Sequence, residues 1–301
     1  MNAIVVKDLH KQYGGKAAVD GVSFDVREGE IFGLVGPNGA GKTTIMEILL
    51  GLRDADGGQF SVLGQSGAKR GSAYKHRVGA QLQEAMLPAN LKTWEAVDLQ
   101  AAYFGRTVDV DAELKRYGLE KSRNVAFSRL SGGQRQRLFV LLSVLHDPEL
   151  VFLDELSTGL DPESRRDAWS EILGLKRRGK TVILVTHYMD EAQQLCDRVL
   201  FLFGGKVAAL GSPADLIGGL GFKTVVRFKP LSGSIPDLAG LGVSPDVDEF
   251  GYVELRGNDR ALEDGVRSAL DRAAVGYADL SSRQASLEDV FHREAEREVV
   301  A

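Results

Sequence analysis

A chain of 301 residues exceeds the roughly 100 to 200 of an ordinary domain, so it holds one large or two modest domains and can bury a full core. Its 37 basic and 42 acidic side chains leave a net charge of −5, which lacks the basic excess of a nucleic-acid or anionic-lipid binder, and no nucleic-acid partner is expected. Glycine is abundant at 35 residues while proline is scarce at 8, a balance that points to close backbone approaches rather than disorder.

Ile4 to Leu9, Ser23 to Val26 and Glu30 to Val35 alternate like short antiparallel strands of one sheet, parted by turns at Gly14, Gly15, Gly21 and Gly29. Ile45, Ile48, Leu49 and Leu52 then recur at helical spacing and predict a helix over Lys42 to Leu52, closed near Gly51. From about 90 to 130 the text is helical and mixed in charge. Thr93 reads as a cap, and Trp94, Val97, Ala101 and Phe104 share a face, which suggests an inserted helical subdomain at about 88–145. Beyond it strand and helix patterns alternate: Leu138, Leu141, Leu142 and Leu145 form a stripe, Leu150 to Leu153 a buried strand, Trp169, Ile172 and Leu173 a stripe, and Thr181 to Val185 a strand. Such alternation implies a parallel α/β sheet.

Gly211, Ser212, Pro213, Gly218, Gly219 and Gly221 crowd a boundary near 212–222, dividing the chain into domains at 1–215 and 222–301. The tail reads as a small α+β unit, with strands at Thr224 to Phe228, Gly251 to Leu255 and Val275 to Leu280. Helices are expected at Arg260 to Ala273 and Leu287 to Glu296, with Leu287, Val290 and Phe291 on one face. The single cysteine, Cys196, excludes an internal disulfide; it shares a helical face with Ala192, Leu195 and Val199, which suits core packing in a reducing cytoplasm. Ala3 to Val6 is too short for a signal-peptide core, and the longest apolar run, Leu138 to Leu145, is eight residues, so no bilayer-spanning segment is expected.

Gly36, Pro37, Asn38, Gly39, Ala40, Gly41, Lys42 and Thr43 match G-x-x-x-x-G-K-[ST], between a strand and a helix as that motif requires. The glycines let successive backbone N–H groups face a triphosphate, and the helix terminus adds positive potential. Lys42 suits the β and γ phosphates, Thr43 offers a hydroxyl to Mg²⁺, and Thr44 joins the phosphate-binding set. This loop alone says only that a nucleotide binds, since kinases, GTPases and motors share it. Leu130, Ser131, Gly132, Gly133 and Gln134 read LSGGQ ahead of the next helix, where Ser131 can cap and the glycines leave N–H groups open as a second anion cradle. The apolar strand Leu150 to Leu153 runs into Asp154 and Glu155; a carboxylate so buried is costly unless it meets a cation. Gly159 to Asp161 and His187 follow.

Loop, LSGGQ, apolar strand with DE, GLD and histidine, in that order over about residues 3 to 215, resemble the ATP-binding cassette (ABC) ATPases. The resemblance implies an α/β P-loop NTPase cassette, built of a parallel α/β core, an antiparallel β subdomain and the helical insertion, with the α+β domain appended. It implies ATP and Mg²⁺ as cofactors, with Mg²⁺ held by Thr43, Asp154 and Gln83, and ATP held by the loop of one copy and Ser131 to Gln134 of another in a homodimer. Glu155 corresponds to the general base, His187 to the γ-phosphate switch and Lys42 to a catalytic cation. Gln83, with Glu84 beside it, sits at the family's spacing for the residue linking nucleotide to helical subdomain, and Gln81 is its rival. Tyr13 corresponds to the adenine-stacking aromatic, though it also suits hairpin packing. Asp161 corresponds to a loop crossing the dimer interface and, before Pro162 and Glu163, is equally a helix start. Leu156 departs from the proline common at its position, without touching a phosphate.

Three readings compete: a transporter ATPase, a soluble cassette acting on DNA or ribosomes, and a nucleotide switch without turnover. Soluble types usually carry two cassettes or a long coiled coil, and a dead switch would lack Glu155. Thr186 to Ala192, Leu195 to Arg198 and the phrase SLEDVF at Ser286 to Phe291 resemble bacterial drug and polyketide exporter subunits of the daunorubicin-resistance type, although Ser286 with Asp289 is also a plain helix-start box. That likeness implies export of a drug-like or other small molecule through a separate polytopic permease, at the inner face of the cell membrane. The tail, with no catalytic constellation, is expected to stabilise the dimer or dock the permease.

Overall fold

Two long strands open the chain, β1 (Asn2–Tyr13) and β2 (Lys16–Arg27), joined by a turn at Gly14 and Gly15. Next come β3 (Ile31–Val35), helix α1 (Lys42–Leu50), and strands β4 (Gly57–Val62) and β5 (Gln65–Ser66). A short helix α2 (Ser72–Arg77) leads into β6 (Val78–Gln81), and the helical stretch α3 (Thr93–Tyr103), α4 (Val110–Arg116) and α5 (Gly132–Val144) follows. Strand and helix then alternate through β7 (Leu150–Asp154), α6 (Pro162–Arg177), β8 (Thr181–Thr186), α7 (Met189–Leu195) and β9 (Arg198–Phe203), ending on β10 (Lys206–Gly211). The computed structural model describes residues 1–300 except 68–70, 84, 232–234, 236–237, 239–240 and 260, with backbone alone for 72–73 and 299–300. Glu84 and Arg260, both named above, lie outside the described residues.

The residues 1–212 form one compact unit with two sheets. One is antiparallel, ordered β2-β1-β4-β5. The other, ordered β10-β9-β3-β8-β7-β6, is parallel from β9 to β6 and carries β10 antiparallel at its edge. The expectation that Glu30 to Val35 joins the antiparallel strands is therefore corrected. All five residues of β3 are buried, and the strand lies between β8 and β9, where coverage on both faces demands an unbroken apolar run rather than alternation. β1 and β2 are longer than their alternation suggested because register shifts and the left-handed Asp8 (φ 51°) interrupt the two-residue rhythm. Between the sheets Ile4, Val6 and Phe24 meet Phe32, Leu34, Ile45 and Ile48 in a common core, with the Phe24 and Phe32 rings stacked at 5.4 Å.

Two helix ends differ from expectation. Gly51, at φ 77°, adopts the left-handed cap that only glycine takes cheaply, so α1 stops at Leu50 and Leu52, 63% exposed, falls off its apolar face. Thr93 is the first residue of α3 rather than its cap: its hydroxyl donates to the Val125 carbonyl at 3.1 Å, while the Glu95 carboxylate accepts the Lys92 N–H at 2.8 Å. Val97 and Ala101 are buried, as their shared face requires.

The second compact unit covers Pro213–Val299. It holds α8 (Pro213–Gly218), β11 (Thr224–Pro230), β12 (Pro245–Val247), β13 (Val253–Gly257), α9 (Leu262–Arg272), β14 (Tyr277–Gln284) and α10 (Leu287–Val300). Its antiparallel sheet runs β12-β13-β11-β14, one strand more than expected, and Leu262, Val266 and Leu270 of α9 pack on Val226, Phe228, Val253 and Leu255. The last strand begins later than Val275, because Ala274 (φ 51°) and the Val275 N–H, bonded to the Leu270 carbonyl at 3.0 Å, still close α9. In SLEDVF, Asp289 accepts from the Ser286 N–H at 2.8 Å and takes both arms of Arg283 at 2.7 and 2.8 Å, so that phrase builds the start of α10.

Candidate nucleotide site

Four neighbouring strands, β3, β8, β7 and β6, run parallel, and their carboxyl ends carry Gly36, His187, Asp154 with Glu155, and Gln83 respectively. This edge is where open α/β sheets bind ligands, because helix amino termini and loop N–H groups converge there.

After β3 the chain must pass close under its neighbours. A Cβ on Gly36 would lie 2.2 Å from the Leu202 carbonyl oxygen, and one on Gly41 equally close to that of Ala18. Gly41 (φ 102°) and Gly39 (φ 81°) also hold left-handed backbone, so the loop's shape depends on glycine at these points. Ala40 is buried beneath the loop, and Pro37, Asn38 and Gly39 form its open crest. Lys42 is buried too, and its ammonium donates to the carbonyls of Gly36 (2.8 Å) and Pro37 (2.9 Å). Burial lowers its pKa, against the pull of Glu155 and Asp154. Lys42, Thr43 and Thr44 begin α1 with no acidic residue in the first turn and no side-chain cap, leaving helix N–H groups free for an anion.

Asp154 ends β7 with 1% of its surface exposed, and its Oδ1 has no hydrogen-bond partner. Burial, then the charge of Glu155, pushes its carboxyl up to about 6. The next residue, Glu155, adopts φ 48°, and its N–H donates to the Val185 carbonyl at 2.8 Å. That left-handed turn takes the side chain out of the strand's alternation. Its carboxylate accepts from Gln83 Nε2 at 2.8 Å and meets His187 Nδ1 at 3.1 Å, with the Thr158 hydroxyl at 3.4 Å. Of the rival glutamines, Gln83 is thus the one that reaches Glu155, while Gln81 is buried at the end of β6.

The hard oxygen donors available here, Asp154 Oδ1 without a partner and the exposed Thr43 hydroxyl on the neighbouring loop, fit Mg²⁺. Among the described residues no group of three His, Cys, Asp or Glu is arranged to hold a metal ion.

Ser131, Gly132, Gly133 and Gln134 stand at the amino terminus of α5. The Ser131 hydroxyl accepts the Gln134 N–H at 3.3 Å, and Gln134 Oε1 accepts the Ser131 N–H at 2.9 Å, a reciprocal capping box. Gly133 lies against α6, where a Cβ would be 2.7 Å from Ser164 Oγ. Asp161 caps α6, accepting the N–H groups of Glu163 (3.1 Å) and Ser164 (3.0 Å). Among the described residues no hydrogen bond or ion pair joins Ser131–Gln134 to the loop at Gly36–Thr44. Tyr13, at the end of β1, is 42% exposed, with the Arg53 guanidinium 5.1 Å and the Lys11 ammonium 5.7 Å from its ring centre.

Sequence reasoning missed Ser157 and Glu191, both fully buried and hydrogen-bonded to each other behind Glu155. The available signal was slight: Glu191 falls on the face of α7 that buries Ala192 and Leu195. Cys196 is buried against Gly33, where a Cβ would come within 2.8 Å of its sulfur.

A family profile described as ABC transporter matches residues 19–158. The chain is 38% identical to Nod factor export ATP-binding protein I of Rhizobium etli over 99% of this chain and 95% of that protein. It is 35% identical to the protein of the same name from Burkholderia pseudomallei, over 98% and 97%. Among solved structures, one described as the ATP-binding subunit of an ABC transporter superposes with a TM-score of 0.65 at 28% identity, covering 73% of this chain and 93% of that one. A nucleotide-free cassette of an ABC transporter, at 22% identity and a TM-score of 0.62, shares the fold over 70% of this chain and 92% of its own. A P-loop joining a strand of the parallel sheet to a helix, and relatives matched nearly end to end, agree: the chain belongs to the ABC transporter family, as one of its ATP-binding, ATP-hydrolysing subunits.

Proposed function

We propose that this chain powers export of a small molecule through a separate polytopic permease, working at the inner face of the membrane as a homodimer that closes ATP between its copies. The observation that carries the chemistry is the Glu155 carboxylate, gathered with Gln83 and His187 at the strand ends beside the phosphate-binding loop. Relatives named for Nod factor export, matched over 95% and 97% of their length, support the direction of transport. The amino ends of α5 and α6, capped by Ser131 and Asp161 and, among the described residues, with no hydrogen bond or ion pair to the loop of their own chain, support a second copy as the other half of the site. Among the described residues no helix is long and apolar enough to cross a membrane, so the membrane path is assigned to the permease. The unit Pro213–Val299, among whose described residues none of the groups at the strand ends falls, is assigned to dimer or permease contacts.

In this reading Tyr13 stacks on the adenine, and the N–H groups of the loop Gly36–Thr44 bind the triphosphate. The Lys42 ammonium exchanges its carbonyl partners for β and γ oxygens. Glu155 takes a proton from the attacking water, with Gln83 and His187 fixing the orientation of its carboxylate, a role worth about 10² to 10⁴ in rate. His187 and, across the dimer, Ser131 donate to the γ phosphate. Asp161 lines the crossing between copies. Mg²⁺, when bound by Thr43, Asp154 and Gln83, would supply charge neutralisation at the phosphates.

Co-expression with the permease, followed by assay of inside-out vesicles, tests the reading. Export predicts that the chain co-purifies with the permease and that cargo accumulates only with hydrolysable ATP. An active ATPase that never associates with a polytopic membrane protein would contradict it.

A further inference from the structure

Glu191 is a carboxylic acid with none of its surface exposed, and among the described residues it forms no ion pair. Its Oε1 accepts the Ser157 hydroxyl and the Trp169 indole N–H, the latter at 3.1 Å, while Oε2 has no hydrogen-bond partner. Burying a carboxyl in this way is costly, so its retention calls for a task.

The three side chains belong to three segments that must stay in register. Ser157, also fully buried, lies two residues past Glu155 in the turn that presents that carboxylate, and the Thr158 N–H closes the turn on the Glu155 carbonyl at 3.2 Å. Glu191 lies four residues past His187, in the first turn of α7, where the Thr186 hydroxyl accepts the Tyr188 N–H at 3.0 Å. Trp169 belongs to α6, whose cap is Asp161. One buried group therefore ties the segments carrying Glu155, His187 and Asp161.

We propose that Glu191 is a positioning residue for ATP hydrolysis, pinning the Glu155 turn to the His187 segment and to α6 so that the carboxylate and imidazole keep their 3.1 Å spacing. This rests on Glu155 being the base. Burial pushes the Glu191 carboxyl up, against the opposing hydrogen bonds from Ser157 and Trp169. Glutamine has the same shape and keeps an oxygen that can accept both bonds, so it is the conservative replacement.

The test uses the full chain, with ATP binding measured by equilibrium dialysis and hydrolysis by steady-state kinetics. Glu191→Ala and Ser157→Ala should each lower kcat by about tenfold or more, since small misplacements of a reacting group are costly, while KM and ATP affinity move less than about threefold. Glu191→Gln should recover turnover to within about threefold of the native rate. Added to Glu155→Gln, Glu191→Ala should cost nothing further, because it acts through Glu155. Native kcat in both alanine variants, a further loss in the Glu155→Gln background, or a glutamine variant no better than alanine would overturn the proposal. If Glu191→Ala does not fold, Ser157→Ala decides by the same kinetic criterion. Full activity in Glu155→Gln alone would instead remove the assignment of the base.

Discussion

Replacing Asp154 with asparagine should make the nucleotide-free protein more stable while destroying its use of MgATP. The carboxyl is 1% exposed, one of its oxygens has no partner, and burial followed by the Glu155 charge raises it from 3.8 to about 6. The folded state therefore holds this proton more tightly than the unfolded chain does. Stability from this group is greatest below about pH 4, falls as pH rises towards about 6, and is level above that. At about 1.4 kcal/mol per pH unit, the ionised carboxylate costs the fold about 3 kcal/mol at pH 7 and above, and about half of that at pH 5. Asparagine mimics the protonated acid and removes that cost. Both tryptophans, Trp94 and Trp169, lie in the unit that holds Asp154, so urea unfolding followed by tryptophan fluorescence without Mg²⁺ or nucleotide reads the relevant transition. The variant should gain stability at pH 8 and roughly half as much at pH 5, and MgATP should stabilise the native chain alone. Equal stability at both pH values, or a gain independent of pH, would refute the electrostatic reasoning.

Three further outcomes follow from the loop and its partners. Gly36→Ala should cost about 3 kcal/mol or more and abolish ATP binding, because its Cβ meets a backbone oxygen at 2.2 Å; Gly39→Ala, with open space but φ 81°, should cost only about 1 to 2 kcal/mol in the same unfolding assay. Tyr13→Ala should weaken ATP binding about tenfold, read by dialysis, as expected for loss of a stacked base. Lys42→Ala and Ser131→Arg chains should each be unable to dimerise with ATP, whereas an equal mixture recovers some ATP-dependent dimer on sizing, since one composite site then has both halves intact.

The phosphate loop, LSGGQ and the DE pair were legible because each is a contiguous phrase whose chemistry dictates its residue types. Gly36 and Gly41 must be glycine to pass beneath carbonyls, and Lys42 at the helix start turns its ammonium back over the loop. Alternation of strand and helix after residue 138 likewise announced the parallel sheet. What failed was information held by partners distant in sequence. Five apolar residues at Ile31–Val35 do not say which sheet they enter, and β1 concealed its length behind register shifts. Thr93 has the chemistry of a cap, yet Val125, 32 residues away, takes its hydroxyl. Choosing Gln83 over Gln81 needed spacing from the family resemblance, whereas the fold shows which of the two side chains reaches Glu155. Glu191 has only the faint signal of sharing a face with Ala192 and Leu195, and the packing of α6 and the Glu155 turn is what buries it.

In the proposed function Glu155, oriented by Gln83 and His187, takes the proton of the water that attacks ATP. The most direct test of this step is single-turnover hydrolysis of MgATP by Glu155→Gln beside equilibrium binding of the same nucleotide. The amide keeps the shape but cannot accept the proton, so affinity should stay within a few fold while the hydrolytic step slows by about 10² or more and ATP accumulates in a stable dimer. Hydrolysis at the native rate with unchanged affinity would contradict the account, whatever the dimer does.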